Sequence, residues 1–321
     1  MNGNAKVLLT GYSGFLGRYL AKALTKEGFC LRVLLHRHSI TRREVGKDVE
    51  VVWGSIDNSN IIRNALSGVD YVVHSAWAFS SPIEGRPTLN EHAASILFAE
   101  SIRSNIKKFT FISSVAVYGM SAKGNLLIDE SSPFAKGKDL SFIYPSEKIN
   151  IESMLQKFDR KETALGIFRP GPIFNERKGP PKKILKLGHL SLGIGFGNGR
   201  NRMAYIHAKD VAYAVTRWLA DGEDGSIFNV VPSKYISSRE WIRAWGKRNN
   251  LSLRPIFIPG CIIRFAGFGL KIFKKMLGKQ SRADMKYAVA CAKRDMCYSN
   301  EVLKKSLGWE DKATSEYIKR Y

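Results

Sequence analysis

A tyrosine and a lysine stand four residues apart in the segment SFIYPSEKIN, residues 141–150. On a helix this spacing places Tyr144 and Lys148 on the same face, one turn apart. A phenol beside an ammonium group can give or take a proton, because the positive charge favours phenolate and lowers a pKa that is otherwise about 10. An ordinary amphipathic helix also contains such pairs, so both interpretations stay open at this point. Pro145 indicates that the helix starts here, since a first-turn proline has no helical hydrogen bond to lose.

The segment TGYSGFLG places glycines 11, 14 and 17 between an apolar run and a helical pattern. The run AKVLLT predicts a strand, and FLGRYLAKALTKEG predicts a helix that ends at Gly28. The three glycines allow a tight turn and close packing where a Cβ would not fit, and a pyrophosphate can then sit on the helix N-terminus. We interpret the segment as a dinucleotide-binding turn in preference to a simple connection.

The residues after the second predicted strand bear on which dinucleotide fits. An acidic residue about 20 positions beyond the glycines would bind the adenosine ribose of NAD. Here the chain reads LLHRHS, with His36 and Arg37 and no carboxylate, and Arg42 and Arg43 follow. A cationic side chain suits the 2′-phosphate of NADP. The pattern favours NADP over NAD; the alternative is that Arg37 simply belongs to a basic surface.

Composition restricts the class of protein. The chain has 321 residues, of which 44% are hydrophobic and 25% charged, as in globular proteins. Its cysteines and histidines lack metal-ligand or disulfide-framework spacing, so no metal is expected. The N-terminus has no signal-peptide pattern and no uncharged run of about 20 apolar residues occurs, so a cytoplasmic protein without a spanning helix is predicted. The net charge of +23 attracts nucleotide phosphates, nucleic acid or acidic lipid.

Strand and helix patterns alternate along the first two thirds of the chain. Apolar runs such as CLRVLLH, DYVVHSA and TALGIFRPG are separated by helical stretches, which predicts a parallel sheet covered on both faces. The predicted fold is α/β, a Rossmann-type doubly wound parallel sheet with a smaller C-terminal substrate lobe. We assign residues 1–175 to the dinucleotide-binding domain, with 205–232 returning to it, and residues 176–204 and 233–321 to the lobe.

Several motifs in order resemble one family. They are TGYSGFLG, Asp57 in WGSID, HSAW at 74–77, ISSVAVYG at 112–119 and YPSEK. Together they are similar to the extended short-chain dehydrogenases/reductases, the epimerase/dehydratase group of nucleotide-sugar enzymes. The resemblance runs from residue 5 to about 232, and beyond it only YSNEVLKKSLGW at 298–309 looks familiar. It implies an NAD(P)-dependent enzyme.

The resemblance also implies roles for individual residues. Ser114 matches the catalytic serine, Tyr144 the acid/base, Lys148 its partner and Asn90 a helix asparagine behind that lysine. Tyr144 would take the substrate's hydroxyl proton while hydride leaves for the nicotinamide, or return the proton during reduction. Ser114 would hydrogen-bond the same oxygen, and Lys148 would also hold the cofactor ribose. The residues implied to bind the cofactor are Gly11, Tyr12, Ser13, Gly14, Phe15, Leu16, Gly17, His36, Arg37, Ile56, Asp57, Ser75, Ala76, Trp77, Ser113, Tyr144, Lys148 and Pro170.

Two residues are candidates for the substrate side. Arg202 in GNGRNRMAYIHAKDVA is the nearest match to an arginine that contacts the substrate diphosphate in nucleotide-sugar enzymes, and Asn175 is a second candidate contact for a diphosphate or sugar. The alternative for both is an ordinary surface residue. Asp210 is interpreted as a helix N-terminal residue with a structural role.

The stretch CIIRFAGFGLKIFKKMLGK, residues 261–279, combines apolar residues with a basic stripe. Such a helix could lie on an anionic membrane, at the inner face of the membrane in this case. The alternative, which we favour, is a lobe helix whose apolar face packs inward and whose basic stripe is solvated; two glycines within it also reduce helix propensity.

The leading functional hypothesis is a 4-epimerase or keto-sugar reductase that acts on a nucleotide-linked or polyprenyl-diphosphate-linked sugar. An epimerase recycles a tightly held NAD, whereas the basic LLHRHS segment suggests NADPH and net reduction. The runner-up is a reductase similar to 3β-hydroxysteroid or dihydroflavonol enzymes, with a lipophilic substrate and no diphosphate clamp. A third hypothesis is a non-catalytic cofactor-sensing or RNA-binding protein, which the intact Ser114, Tyr144 and Lys148 set argues against; no nucleic acid partner is expected. A homodimer is possible, since relatives often dimerise through a helix pair.

Overall fold

The structure is a computed structural model that describes residues 5–36, 45–78, 87–119, 127–137, 140, 142–180, 183–187, 190–259, 295 and 297–319. Two of the sequence-based predictions fall outside these residues. They are the basic stretch 261–279 and the arginines at 37, 42 and 43.

Strands and helices follow the alternating pattern of the sequence. The strands are β1 (Lys6–Thr10), β2 (Cys30–Leu35), β3 (Glu50–Trp53), β4 (Tyr71–His74), β5 (Lys108–Ile112), β6 (Ala164–Pro170), β7 (Ile173–Phe174), β8 (Lys183–Leu187), β9 (Leu190–Phe196), β10 (Ile206–His207), β11 (Ser226–Val230) and β12 (Leu253–Ile258). The α-helices are α1 (Gly17–Lys26), α2 (Ser59–Leu66), α3 (Leu89–Arg103), α4 (Ile143–Lys157), α5 (Ala208–Asp221), α6 (Ser238–Arg248), α7 (Glu301–Leu307) and α8 (Lys312–Ile318).

A parallel sheet of seven strands forms the centre of the molecule, in the order β11-β6-β5-β4-β1-β2-β3. Each pair of neighbours is parallel. Val7, Leu8 and Leu9 of β1 are all fully buried, because helices cover both faces of the sheet. Val7 and Leu9 pack with α1 and α5, whereas Leu8 packs with α2, α3 and α4. The predicted doubly wound α/β fold is confirmed.

The order of the strands also locates the binding crevice. The chain runs outward from β1 to β3 and then crosses back to β4 on the other side of β1. In open α/β sheets a ligand binds at this reversal, beyond the carboxyl ends of the strands. Thr10 and His74, the last residues of β1 and β4, mark that place.

A second, smaller unit lies beyond β6. Strands β8 and β9 pair antiparallel and β12 pairs parallel with β9, which gives a sheet of three strands. Helix α6 packs against this sheet and buries Trp241, Ile242 and Trp245. This part of the predicted lobe therefore has its own sheet, and its apolar cluster continues into Val115, Val117 and Tyr118 of the dinucleotide-binding domain.

The end of the chain packs differently from the predicted division. Leu303, Leu307 and Trp309 are buried in the same apolar cluster as β1, α1 and α5. Asp210, in the first turn of α5, accepts hydrogen bonds from the backbone N–H groups of Ala313 (2.9 Å) and Thr314 (2.7 Å) at the start of α8. Leu303, Leu307 and Trp309 therefore pack with the large sheet, whereas the sequence-based boundary assigned all of 233–321 to the lobe.

Candidate active site

The glycine turn joins β1 to α1 and leaves no room for side chains. Gly11 has φ +81°, and a Cβ on it would lie 2.6 Å from the backbone N of Ala76. A Cβ on Gly17 would lie 2.0 Å from the carbonyl oxygen of Gly11. Helix α1 starts at Gly17 with Leu16 as its N-cap, without a side-chain cap and without an acidic residue in its first turn. A backbone turn of this kind, followed by an uncapped helix N-terminus, fits a dinucleotide pyrophosphate.

The other residues of the turn differ in exposure. Ser13 and Gly14 are exposed, Tyr12 and Phe15 pack partly against the core, and Leu16 is buried. Among the side chains of the turn, that of Ser13 is therefore the most exposed.

Replacing Gly11 with alanine is expected to weaken NAD(H) binding about tenfold or more, which corresponds to about 1.4 kcal/mol or more. The added Cβ meets the backbone of the segment after β4 and forces the turn to move. Gly28→Ala is the matched control, because Gly28 has a similar φ of +84° but open space where its Cβ would be. Titration followed by intrinsic protein fluorescence or NADH fluorescence measures the NAD(H) affinity of both variants. Equal affinities for the two variants would contradict the fit of the turn to the cofactor.

The ends of β1 and β4 are joined by a buried polar pair. The hydroxyl of Thr10 and Nδ1 of His74 are hydrogen-bonded at 2.8 Å, and the backbone N–H of Ala76 donates to Thr10 Oγ1 at 3.3 Å. Burial and the nearby charge of Lys148 lower the pKa of His74 to about 3. His74 is therefore neutral at physiological pH. The contacts fix the segment Ser75–Trp77, which the sequence predicts to bind cofactor, beside the glycine turn.

Two adjacent serines follow β5 and point in opposite directions, as successive residues of an extended chain do. Ser114 caps a short 3₁₀ turn, Val115–Tyr118, by accepting a hydrogen bond from Ala116 N at 3.1 Å. It also makes a side-chain hydrogen bond with Tyr144. Ser113 is buried and donates instead to a carboxylate oxygen of Glu152. Ser114 is therefore the serine that lies with Tyr144, and the Ser113 side chain points away from the predicted cofactor position.

Lys148 is held in an aromatic enclosure. Its side chain lies on α4 with the residue only 4% exposed, and Nζ donates to the carbonyl oxygen of Ile112 at 2.7 Å. The same atom lies 3.6 Å from the ring centroid of Trp77 and 4.8 Å from that of Phe111. Burial lowers the pKa of Lys148 to about 7, against the opposite effect of the carboxylates of Glu152 and Glu147. Lys148 can therefore exchange a proton near neutral pH.

Tyr144 lies on the first turn of α4 and is half-buried. Its ring contacts Trp77 edge-on with centroids 5.4 Å apart, and the Nζ of Lys148 lies 5.9 Å from its centroid. Burial raises the pKa of Tyr144, partly offset by the hydrogen bond with Ser114. This direction is opposite to the lowering expected from a neighbouring ammonium, because burial penalises the phenolate and the lysine is itself easily deprotonated.

Asn90 lies behind the pair on α3. Its Oδ1 accepts from the backbone N of Ala78 at 2.9 Å, and its Nδ2 donates to the Ala78 carbonyl at 2.8 Å. Nδ2 also donates to Oε1 of Glu147 at 3.1 Å. Asn90 thus contacts the neighbour of Lys148 in the chain and fixes the residue next to Trp77.

The remaining cofactor candidates lie around the same edge of the sheet. Ile56 packs against the core, Asp57 is exposed just before α2, and Pro170 is buried at the end of β6. His36 is exposed immediately after β2, and Arg37 lies outside the described residues.

The two substrate candidates are both engaged within the protein. Oδ1 of Asn175 accepts from the backbone N–H groups of Arg177 (2.9 Å) and Lys178 (2.6 Å), so this side chain closes a turn. The guanidinium of Arg202 pairs with Asp295, with Nη2 to Oδ2 at 3.0 Å. This ion pair is partly exposed and can open to a ligand, whereas the buried Asn175 is less available.

The sequence did not point to a buried polar network beneath the site. Arg169 on β6 and Glu152 on α4 form an ion pair at 2.6 Å with exposed side-chain fractions of 3% and 0%. Arg169 also donates to the hydroxyl of Tyr118 at 2.7 Å, and Tyr118 donates to Oδ1 of Asn229 at 2.8 Å. Glu152 accepts from Ser113 as well. The sequence signal for this network is Arg169, the one charged residue of the apolar strand β6, whereas Glu152 lies on a helix with several other charged residues.

Two negative findings apply to the part of the chain that the structure describes. Within it, no three His, Cys, Asp or Glu side chains gather as a metal site. None of its helices has the length and apolar character needed to cross a membrane.

The sequence is similar to those of known dehydrogenases and epimerases. The sequence is 24% identical over 259 residues to the decarboxylating sterol-4-alpha-carboxylate 3-dehydrogenase of Dictyostelium discoideum, with 78% of each chain covered. It is 26% identical over 298 residues to the N-acetyl-alpha-D-glucosaminyl-diphospho-ditrans,octacis-undecaprenol 4-epimerase of Escherichia coli O157:H7, covering 89% of this chain and 83% of that one.

Solved structures share the fold. The crystal structure of the Thermus thermophilus UDP-glucose 4-epimerase in complex with NAD matches with a TM-score of 0.70 at 19% identity, over 96% of this chain and 94% of that one. The model of the NAD dependent epimerase/dehydratase family matches residues 7–230, which span the glycine turn, the two serines and the Tyr144–Lys148 pair. This chain therefore belongs to the NAD-dependent epimerase/dehydratase family of extended short-chain dehydrogenases/reductases.

Proposed function

We propose that this protein catalyses NAD(P)-dependent oxidation and reduction at a hydroxyl or keto carbon of a sugar carried on a nucleotide or polyprenyl diphosphate, as a 4-epimerase or keto-sugar reductase. The observation that carries the proposal is the convergence of Ser114, Tyr144 and Lys148 next to the glycine turn. Tyr144 and Ser114 share a hydrogen bond, and Lys148 lies one helical turn from Tyr144 at a carboxyl edge of the sheet.

The residues have distinct roles in this proposal. Tyr144 takes the proton from the substrate hydroxyl in oxidation and returns it to the carbonyl oxygen in reduction. Ser114 donates a hydrogen bond to the same oxygen and orients it. When Tyr144 gives its proton to the carbonyl oxygen it becomes a phenolate, and the ammonium of Lys148, whose pKa of about 7 lies close to working pH, offsets that charge; in oxidation the phenolate takes the proton of the substrate hydroxyl. The nicotinamide, when bound, accepts or supplies the hydride.

The cofactor preference is a finer proposal. We favour NADP because the segment after β2 supplies His36 and Arg37 and no carboxylate. The family as a whole is NAD-dependent. Net consumption of NADPH, followed at 340 nm, supports a reductase; turnover without change in absorbance, together with cofactor that co-purifies, supports an epimerase.

A second candidate function follows from the engagement of the diphosphate candidates. Arg202 is paired with Asp295 and Asn175 closes a turn, so a reductase of a lipophilic substrate that lacks a diphosphate is the alternative. Both relatives named above act on lipid-type or lipid-linked molecules by their names. Peripheral contact of the basic stretch 261–279 with an anionic membrane would suit either substrate. We also propose that the protein forms a homodimer.

The test is a turnover screen of UDP-sugars, polyprenyl-diphosphate sugars and sterol-type ketones with each nicotinamide cofactor, using wild type and Arg202→Met. If Arg202 binds a substrate diphosphate, the variant is expected to raise KM for a diphosphate-linked sugar about 10–100-fold, as for a lost charge-assisted hydrogen bond. Asp295→Asn is the control, since it frees Arg202 and leaves its charge. Turnover of a sterol-type ketone that is unchanged in Arg202→Met would favour the second candidate.

A further inference from the structure

The sheet of β8, β9 and β12, called the lobe sheet below, has two faces that differ in their packing. Helix α6 packs on one face, where a Cβ on Gly193 would lie 2.5 Å from Cγ2 of Ile242. Leu253 belongs to the same apolar cluster as Ile242, and Phe257 packs against that cluster. Because side chains alternate along a strand, the residues between these positions point to the opposite face.

The strand register defines the members of that opposite face. Ile256 of β12 pairs with Ile194 of β9, which in turn pairs with Lys183 of β8. Side chains of directly paired residues lie on the same side of a sheet. Together with the alternate residues in the same register, they form a surface that we call the outer face: Lys183, Leu185, Leu192, Ile194, Phe196, Arg254, Ile256 and Ile258.

The outer face is apolar at its centre and exposed to solvent. Ile256 is 42% exposed and Leu185 is 38% exposed, and Phe196 keeps part of its surface accessible. In the part of the chain that the structure describes, Ile194, Ile256 and Ile258 join none of the three apolar clusters. A contiguous exposed apolar surface with a polar rim is typical of an interaction site.

The charges around the outer face have one sign. Lys183 and Arg254 are exposed, and they lie on β8 and β12, the two edge strands of the lobe sheet. The sequences of its three strands contain no acidic residue. The chain as a whole carries a net charge of +23. A complementary partner is therefore both apolar and anionic, which describes the surface of a membrane that contains acidic lipids.

This charge pattern is unfavourable for two other occupants of the outer face. A symmetric contact between two copies would bring the cations of both faces together without a carboxylate between them. The stretch 261–279, which follows β12 in the chain and lies outside the described residues, has five basic residues and no acidic one. Placing it on the outer face would likewise add cations beside Lys183 and Arg254.

We propose that the outer face of the lobe sheet is a docking surface for an anionic membrane. Leu185, Ile256 and their apolar neighbours enter the boundary between headgroups and acyl chains, while Lys183 and Arg254 meet the anionic headgroups. This surface is separate from the stretch 261–279. Docking needs neither cofactor nor substrate, so it is tested independently of the proposed function; if that function holds, docking would bring the active site to a substrate carried on lipid.

The test is co-sedimentation of the full chain with vesicles made of equal parts of phosphatidylcholine and phosphatidylglycerol, compared with phosphatidylcholine alone. The wild type is expected to bind the anionic vesicles. Ile256→Gln removes apolar area without changing the charge, and it is expected to weaken this binding about tenfold. Val302→Gln is the matched control, because Val302 lies on α7 and is also 42% exposed. It is expected to leave binding unchanged.

A second pair of variants tests the position of the charges. Lys183→Glu combined with Arg254→Glu reverses both cations of the outer face. Arg243→Glu combined with Lys247→Glu makes the same change in net charge at exposed residues of α6, the helix that covers the other face. The first double variant is expected to bind anionic vesicles at least about fivefold more weakly than the second. Equal losses would show that only the net charge matters, and this result would overturn the inference.

The measurements also identify the other occupants, and either of them would overturn the inference. Because Ile256 is exposed, Ile256→Gln is expected to leave the midpoint of urea denaturation unchanged. A lower midpoint with unchanged vesicle binding would assign the outer face to another part of this chain, such as 261–279. A dimer that dissociates in Ile256→Gln without loss of vesicle binding would assign it to a second copy. Failure of the proposed function is recognised separately, as undiminished turnover in the Tyr144→Phe variant.

Discussion

Tyr144→Phe is expected to lower kcat/KM about 10²–10⁴-fold, the range that a positioned general acid/base contributes. The phenol of Tyr144 shares a hydrogen bond with Ser114, and phenylalanine keeps the ring but removes the hydroxyl and its proton. Because the ring packs edge-on against Trp77, the variant retains this contact and its fold. The loss should appear in kcat, since the hydroxyl acts on the reacting oxygen.

The measurement is steady-state kinetics with the best substrate of the screen, accompanied by NAD(H) affinity from fluorescence titration. Tyr213→Phe on α5 is the matched control, because Tyr213 is exposed and lies on a helix that does not form the site. Cofactor affinity is expected to change little in either variant. A Tyr144→Phe enzyme with wild-type turnover would remove the acid/base role and favour a non-catalytic protein on this fold.

Replacing Arg169 with methionine is expected to lower the free energy of unfolding by about 3–5 kcal/mol. The substitution leaves Glu152 fully buried without its cation, and it also removes a hydrogen bond to Tyr118. Because the pair joins α4 to β6, the helix that carries Tyr144 and Lys148 loses an anchor to the sheet. Urea denaturation followed by far-UV circular dichroism gives the free energy of unfolding.

The double variant Glu152→Leu with Arg169→Met removes both charges. It therefore separates the loss of the ion pair from the cost of leaving one buried charge without a partner. Two apolar side chains leave no uncompensated charge, so much of the stability lost in Arg169→Met is expected to return. Full recovery is not expected, because the hydroxyls of Ser113 and Tyr118 lose partners. If the single variant costs less than about 1 kcal/mol, the pair behaves as an exposed salt bridge and the network does not anchor α4.

The Tyr144–Lys148 pair and the glycine turn could be found from the sequence because both depend on short-range geometry. A four-residue spacing places Tyr144 and Lys148 on one helical face wherever the helix lies, and Gly11 is needed where φ is +81°. The alternation of apolar runs with helical patterns likewise predicts a parallel sheet, because each run is buried on both faces. These are properties of neighbouring residues.

The environment of those residues depends on distant parts of the chain. Asn90 and Glu147 are 57 positions apart, and Arg202 meets Asp295 across 93 positions. The assignment of Asn175 to a substrate contact rested on its place after a strand, but its side chain closes a turn in the structure. Helical periodicity and local motifs contain no information about such pairs.

The sequence by itself determined the fold class, the glycine turn, and the tyrosine and lysine that share one helical face, and its family resemblance singled out Ser114. Only the tertiary structure decided where the Ser113 side chain points, how far burial moves the pKa of Lys148, and that Leu303 and Trp309 complete the main core. The physical reason is range: backbone sterics and helical periodicity act over a few residues. Desolvation and charge, in contrast, depend on everything that surrounds a side chain once the chain has folded.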